Sequence, residues 1–341
     1  MNIDLKDKTL GELEQIITGL GRKEKYLAGY IFHFIHAENT TDIHNITPLS
    51  KVIREKLIED GFHISQLKTL NKLTDKDGTV KYVFELSDSG RVETVLLHDG
   101  KRKTLCVSTQ AGCKMGCVFC ATGKIKFQRN LSAAEIVDQV NIIQMDANRI
   151  SNIVFMGMGE PLENYDNVVR SVRILNNPKG KNIGIRHITV STCGIVPAIK
   201  KLTDEDLHPR LAISLNAPTD DLRNRIMPIN KKYPIAKLLE AVKTYQRKVK
   251  DRVTFEYVLI KGVNDSVLHA QQLVKILRGI KCNVNLIEYN PHAGCKFKGS
   301  SRQQLSRFAK VITEAGIENT IRLKKGSNIC AACGQLGATL K

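Results

Sequence analysis

Nowhere in the chain do roughly 18 apolar residues run together, as a membrane-spanning helix requires. The amino-terminal stretch MNIDLKDK, residues 1–8, lacks the apolar core of a secretory signal. A cytoplasmic, unsecreted protein with no membrane partner is therefore expected. There is no glycine-every-third repeat, and 42% of the 341 residues are apolar, so collagen-like and intrinsically disordered classes are excluded and a sizeable core can form. Acidic side chains are in short supply. Thirty-four Asp and Glu face 52 Lys and Arg, for a net charge of +18.

That excess suits a polyanionic partner, because clustered cations release counterions from phosphates on binding. Its distribution narrows the reading. Residues 1–75 carry ten basic and eleven acidic side chains, so the excess belongs to the rest of the chain. Residues 101–130 hold seven basic residues and no acidic ones, and residues 291–341 hold nine basic and two acidic. The alternative is a solvated surface that maintains solubility. Both basic stretches enclose cysteine clusters, which favours nucleic acid.

Residues 1–75 read as a helical accessory domain. Thr9 and Glu12 form a capping pair before Leu10, Leu13 and Ile17, and Tyr26, Leu27, Tyr30, Ile31 and Phe34 recur at helical spacing. Pro48 is placed in the first turn of a helix with Val52, Ile53 and Leu57 on one face and Gly61 as its stop. Over residues 76–100 the period becomes two, with Val80, Tyr82, Phe84 and Leu86, a Ser89-Gly90 turn, then Val92, Thr94 and Leu96. This predicts a short β-meander linker. Residues 101–341 then alternate: apolar runs at 104–109, 151–156, 185–190, 210–215, 252–260 and 283–289 are separated by amphipathic segments. Six such units fit a doubly wound α/β sheet or an incomplete barrel, and either puts ligand sites at the carboxyl ends of the strands.

The unusual residues fall at those ends. Cys113, Cys117 and Cys120, in GCKMGCVFC, form a C-x3-C-x2-C triplet after the first strand. Zinc would want a fourth ligand, for which Cys106 is available, and usually shows two separated C-x2-C pairs. A cubane iron–sulfur cluster held by three thiolates leaves one iron open for another ligand. A disulfide framework does not suit a cytosolic protein of this length. The turn Gly157-Met158-Gly159-Glu160-Pro161 follows the second strand, where glycines allow close backbone approach and Glu160 offers an anionic acceptor.

The triplet, with Phe119 before its last cysteine, resembles the signature of the radical S-adenosylmethionine (SAM) superfamily, and GMGEP resembles that superfamily's GGEP element. Longer segments, RVETV (91–95), TLCVSTQAGC (104–113), FMGMGEPLENYDNV (155–168), LAISLNAPTDDLRNRIMPINKKYPI (211–235), EYVLIKGVNDS (256–266) and AACGQLG (331–337), resemble the RlmN/Cfr family of RNA adenine methyltransferases across most of the chain. The resemblance implies a partial (β/α)6 radical-SAM barrel with an amino-terminal helical domain. It implies a 4Fe-4S cluster on Cys113, Cys117 and Cys120, with SAM on the open iron. It implies SAM contacts from Gly159, Glu160, Ser191, Ser214, Leu215, Asn216 and Asn290. Cys333 would carry an S-methyl intermediate, Cys106 would resolve it through a transient disulfide, and Glu93 would accept a proton. The implied partners are 23S rRNA, tRNA and a flavodoxin or ferredoxin, and a monomer is expected.

Two positions depart from the family pattern: Asn216, where SLHAP is usual, and Cys330, which is not usually cysteine. Pro161 favours the branch that methylates adenine C2 over the C8 branch, which has alanine there. Other readings stay open. A radical SAM activase or sulfur-inserting enzyme accounts for the triplet but not for AACGQLG, and a zinc-stabilised RNA-binding protein accounts for charge and cysteines. Taken alone, Cys106 reads as a core thiol, Cys330 and Cys333 as a C-x2-C pair, and Glu93 as a solvent-facing strand position. Cys193, Cys282 and Cys295 read as structural.

Overall fold

Reciprocal capping boxes start two of the helices expected from sequence. Thr9 with Glu12 opens α1 (Leu10–Gly19), and Ser132 with Glu135 opens α4 (Ala133–Ala147), which follows α2 (Tyr26–His36) and α3 (Lys51–Glu59). Helix α3 differs in detail from expectation. Ser50 caps it, Pro48 lies in the preceding turn, and of the expected face only Ile53 and Leu57 are buried. In this computed structural model, residues 3–21 and 25–340 are described; Met1 and Asn2 of the amino-terminal stretch lie outside them.

A ten-stranded sheet runs through the molecule, and its strands lie side by side in chain order. They are β1 (Lys68–Thr74), β2 (Val80–Glu85), β3 (Arg91–Asp99), β4 (Arg102–Cys106), β5 (Asn152–Phe155), β6 (Ile188–Thr192), β7 (Arg210–Ser214), β8 (Val253–Leu259), β9 (Cys282–Glu288) and β10 (Glu318–Arg322). Strands β1 to β4 pair antiparallel, and β4 to β10 pair parallel. Helices α5 (Tyr165–Asn176), α6 (Val196–Asp204), α7 (Asp220–Ile226), α8 (Ile235–Val249), α9 (Val267–Leu277) and α10 (Arg302–Glu314) complete the strand–helix alternation. The parallel strand–helix alternation expected from sequence is present, with one parallel strand, β10, beyond the six expected.

Two boundaries differ from the sequence reading. Strand β1 forms a hairpin with β2 across the division expected at residues 75 and 76, and the meander is fused to the barrel sheet through β3–β4 pairing. The helical part therefore ends before residue 68. Among the described residues, no helix is long and apolar enough to cross a membrane.

Candidate active site

Register puts polar groups in a row across neighbouring strands. Ser214 on β7 pairs with Glu256 on β8, Glu256 with Asn285 on β9, and Asn285 with Thr320 on β10. Asn285 donates to Glu256 Oε1 at 2.8 Å, and burial raises the Glu256 carboxyl pKa. This row faces the carboxyl-end cleft at which the cysteine segments meet.

The cysteine loop follows β4. Gly112 adopts φ +80 there because a Cβ would strike the backbone at Lys126. Cys117 O accepts from Cys120 N at 3.1 Å, Val118 N donates to Ile226 O at 3.1 Å, and His292 Nε2 contacts Phe119 O at 3.3 Å. Burial pushes the Cys113 thiol up to about 12, with Glu160 and Cys120 adding to the rise. Burial also raises Cys117 well above the usual thiol range, followed by Cys120 and Cys113. The three thiols thus sense one another inside protein, where paired thiolates need compensating positive charge. No three Cys, His, Asp or Glu side chains among the described residues are placed to hold a single metal ion.

Behind the loop, Gly159 has φ +100, and a Cβ on it would come within 2.8 Å of the Gln110 nitrogen. Glu160 is buried. Its Oε1 accepts from Leu162 N at 3.0 Å and its Oε2 from Cys193 N at 2.7 Å, with no cation among these partners. Desolvation raises its carboxyl pKa, so an incoming ammonium group would find an acid in need of a counter-charge. Ser191, Leu215 and Asn290 are buried and Ser214 is half-buried, and Arg223 bridges the carbonyls of Ser214 and Leu215 to that of Cys193. Asn290 Nδ2 donates to Cys333 O at 3.1 Å, while its buried Oδ1 has no hydrogen-bond partner among the described residues. An orphaned acceptor here fits a ligand hydroxyl or amino group. The donor set therefore fits both cluster and SAM.

Asn216 does not offer its side chain to such a ligand. Its Oδ1 accepts from Val258 N at 2.9 Å, and its Nδ2 lies 3.3 Å from Met227 Sδ. Its φ of +57 explains the residue type, since Asn and His are both enriched in left-handed backbone.

The carboxy-terminal segment closes over the meander and the cysteine loop. Ala121 N donates to Gly334 O at 2.8 Å, and Thr122 Oγ1 to Leu336 O at 2.7 Å. Cys333 is solvent-exposed, yet desolvation raises its thiol pKa, with further influence from Glu256, Arg322 and Cys120. Exposure combined with that much surrounding protein describes a cleft floor. Burial also raises the Cys106 thiol strongly, and Cys333 adds to it. Both are free thiols, so the expected disulfide is not formed in this structure. Cys330 sits in left-handed backbone at φ +51, and its carbonyl faces Lys81.

Glu93 is fully buried, contrary to its solvent-facing place in the strand alternation, because the carboxy-terminal segment covers that face of β3. Its Oε1 pairs with Lys81 Nζ at 2.9 Å and accepts from Thr339 Oγ1 at 3.1 Å, and its Oε2 accepts from Gly337 N at 2.7 Å. Three donors hold this carboxylate, two on Oε1 and one on Oε2, and Oε2 keeps a further lone pair for a proton.

Three features had no sequence signal. Arg223 is fully buried and donates to Leu215 O at 3.0 Å, Cys193 O at 2.6 Å and Ser214 O at 3.2 Å, tying β6 and β7 loop ends together beneath the site. Cys193 joins the site through its amide on Glu160, and Cys295 contacts Val118 O at 3.7 Å. The basic stretch 101–130 is also thinner than its count. Arg129 is paired to Asp88 and Glu135, Arg102 to Asp99 and Lys114 to Glu163, and the exposed lysines of the stretch are Lys101, Lys114, Lys124 and Lys126.

The radical SAM superfamily profile matches residues 107–274. A probable dual-specificity RNA methyltransferase RlmN of Thermoanaerobacter sp. (strain X514) is 47% identical over 337 residues, covering 98% of this chain and 97% of that protein. Its counterpart from Geobacillus kaustophilus (strain HTA426) is 46% identical over 334 residues, covering 97% and 91%. The crystal structure of a radical SAM methyltransferase from Sphaerobacter thermophilus superposes with a TM-score of 0.92 at 43% identity, over 98% of this chain and 99% of that one.

Proposed function

The chain belongs to the RlmN family of radical SAM methyltransferases, and from that premise we propose that it methylates C2 of an adenosine in the peptidyl-transferase centre of 23S rRNA by way of S-methylated Cys333. The adenosine 3′ to the tRNA anticodon is proposed as a second target, in keeping with the dual specificity in the relatives' names. Enzymes of this superfamily use a 4Fe-4S cluster and SAM, which together supply a 5′-deoxyadenosyl radical able to take hydrogen from an unactivated carbon.

In this reading Cys113, Cys117 and Cys120 hold the cluster. Glu160 receives the methionyl ammonium, and Gly159, Ser191, Ser214, Leu215, the Asn216 backbone and Asn290 line the rest of the SAM site. Adenine C2 is electron-poor and does not displace a methyl group from sulfonium, whereas the Cys333 thiolate does. Carrying the methyl on sulfur gives the base a carbon activated for addition. After the base adduct has given up one electron and its C2 proton, the latter to Glu93, the Cys106 thiolate attacks the Cys333 sulfur. The C–S bond breaks with its electron pair going to carbon, which takes a proton to become the methyl group, and a Cys106–Cys333 disulfide is left for the reductant to reopen.

The observation that carries this reading is the placement of Cys333: exposed, on a segment docked against the cysteine loop by Ala121 N on Gly334 O at 2.8 Å and held by Asn290 on the Cys333 carbonyl at 3.1 Å. The target base must leave its stack to reach that sulfur, so irregular, loop-rich RNA is the fitting substrate, held through phosphates by the exposed lysines. The proposed reductant is a flavodoxin or ferredoxin, and the proposed state is a monomer. Anaerobic reconstitution with iron, sulfide, SAM and rRNA or tRNA, followed by nucleoside mass spectrometry, tests it. 2-Methyladenosine is expected; 8-methyladenosine alone, or no product, overturns it.

A further inference from the structure

Lys81 and Glu93 form an ion pair that is 0% exposed on both sides, between neighbouring strands β2 and β3. Burying two charges is costly, and a hydrophobic pair of similar volume is often at least as stable, so such a pair suggests a role in specifying geometry. Its other partners identify what it specifies. Lys81 Nζ reaches Thr339 Oγ1 at 3.2 Å and Cys330 O at 3.5 Å, and Glu93 accepts from Gly337 N and Thr339 Oγ1. Every other hydrogen-bond partner of these two charged groups named here belongs to residues 330–339, the segment that carries Cys333. The segment's other long-range hydrogen-bond anchors among the described residues, Ala121, Thr122, Asn290 and Pro291, are neutral.

We propose that Lys81 is a positioning residue: through Glu93 it clasps residues 330–339 against the meander, and so fixes Cys333 over the cleft. This rests on the reading of Cys333 as methyl carrier. It deepens that reading by giving the meander a task, that of a dock for the carrier segment. The carboxylate that would take the proton in turnover is also the pivot of the clasp. Lys81 thereby sets how much of the time Cys333 is held in place.

Hydrogen exchange of the purified protein, read by mass spectrometry on peptides spanning 330–339, tests the clasp without turnover. Lys81→Met should speed exchange there by roughly tenfold or more while β8 keeps its protection, and Lys81→Arg should restore most of the protection. Exchange in 330–339 at the wild-type rate in a folded Lys81→Met protein overturns the proposal. If Lys81→Met does not fold, the double variant Lys81→Met/Glu93→Gln removes both charges, and the side-chain amide it places on β3 can still accept from Gly337 N. Fast exchange in 330–339 with β8 protected supports the charged clasp, and wild-type protection overturns it. Intact-mass detection of SAM-dependent methylation of Cys333 in the unsubstituted protein separates the two claims: its absence sinks the carrier reading, whereas exchange data alone decide the clasp.

Discussion

Cys106 ends β4, and Cys333 on the carboxy-terminal segment lies near enough to add to the rise in Cys106 proton affinity that burial causes. The resolving step needs the Cys106 thiolate and a Cys333 sulfur that carries a carbon leaving group, which gives that step a defined pH dependence.

Because the Cys106 pKa is raised, its thiolate is scarce at neutral pH, and the scarce form is the nucleophile. Attack on Cys333 should therefore quicken by about tenfold per pH unit from pH 7 to 9, without the plateau that an unperturbed thiol near 8.5 would begin to show. Decay of the isolated covalent protein–RNA adduct after pH jumps, followed on denaturing gels, measures it; a plateau below pH 9 contradicts the raised proton affinity of Cys106.

Substituting either member of the pair separates their tasks. Cys333→Ala should bind iron normally and make no methylated base. Cys106→Ala should complete methyl addition but not release, so that a covalent protein–RNA adduct accumulates. Denaturing gels with labelled RNA distinguish the two, and a Cys106→Ala protein that turns over repeatedly excludes it as the resolving residue.

Gly159→Ala adds a Cβ against the Gln110 backbone in a left-handed conformation. The strain, about 1–3 kcal/mol, falls on the turn that presents Glu160. SAM affinity should fall by about 5–100-fold with iron content unchanged. Equilibrium dialysis with labelled SAM checks it, and unaltered affinity removes this turn from the SAM site.

Arg223→Met strands the carbonyls of Cys193, Ser214 and Leu215 inside protein, at a cost of about 3 kcal/mol. A lower melting temperature and weaker SAM binding should appear together, because both loop ends lose their shared donor. Calorimetry and dialysis on one preparation test this; a loss of stability with full SAM affinity restricts Arg223 to a scaffolding role.

Asn216→His should fold and bind SAM within a few-fold of the natural chain, whereas Asn216→Val should lose about 1–3 kcal/mol, because a β-branched residue at φ +57 is a steric outlier. Equal stability of the two variants in thermal melts counts against backbone conformation as the reason for this residue.

The strand ends and cysteine spacings were legible in the sequence because they depend on local pattern: apolar runs for the buried parallel strands, short fixed intervals for the ligand loop. Strands β1 and β10 left no such pattern. They are the two edges of the sheet and expose most of their residues, so Lys68–Thr74 and Glu318–Arg322 have little apolar alternation to detect. The burial of Glu93 is invisible to periodicity for the opposite reason. Its face of β3 is covered by residues 337 and 339, more than two hundred positions away in the chain, and period-two reasoning sees only the strand. Arg223 belongs to the same class, since its carbonyl partners come from three different loop positions that only the folded barrel assembles.

The central claim is that the transferred carbon passes through Cys333 and loses a hydrogen there. Turnover with SAM carrying a fully deuterated methyl group, followed by mass spectrometry of the modified adenosine, tests it most directly. A methyl group on C2 retaining two of its three deuterium atoms is the predicted result. A product methyl with all three deuteriums intact contradicts the account, since direct polar transfer alone leaves the group untouched.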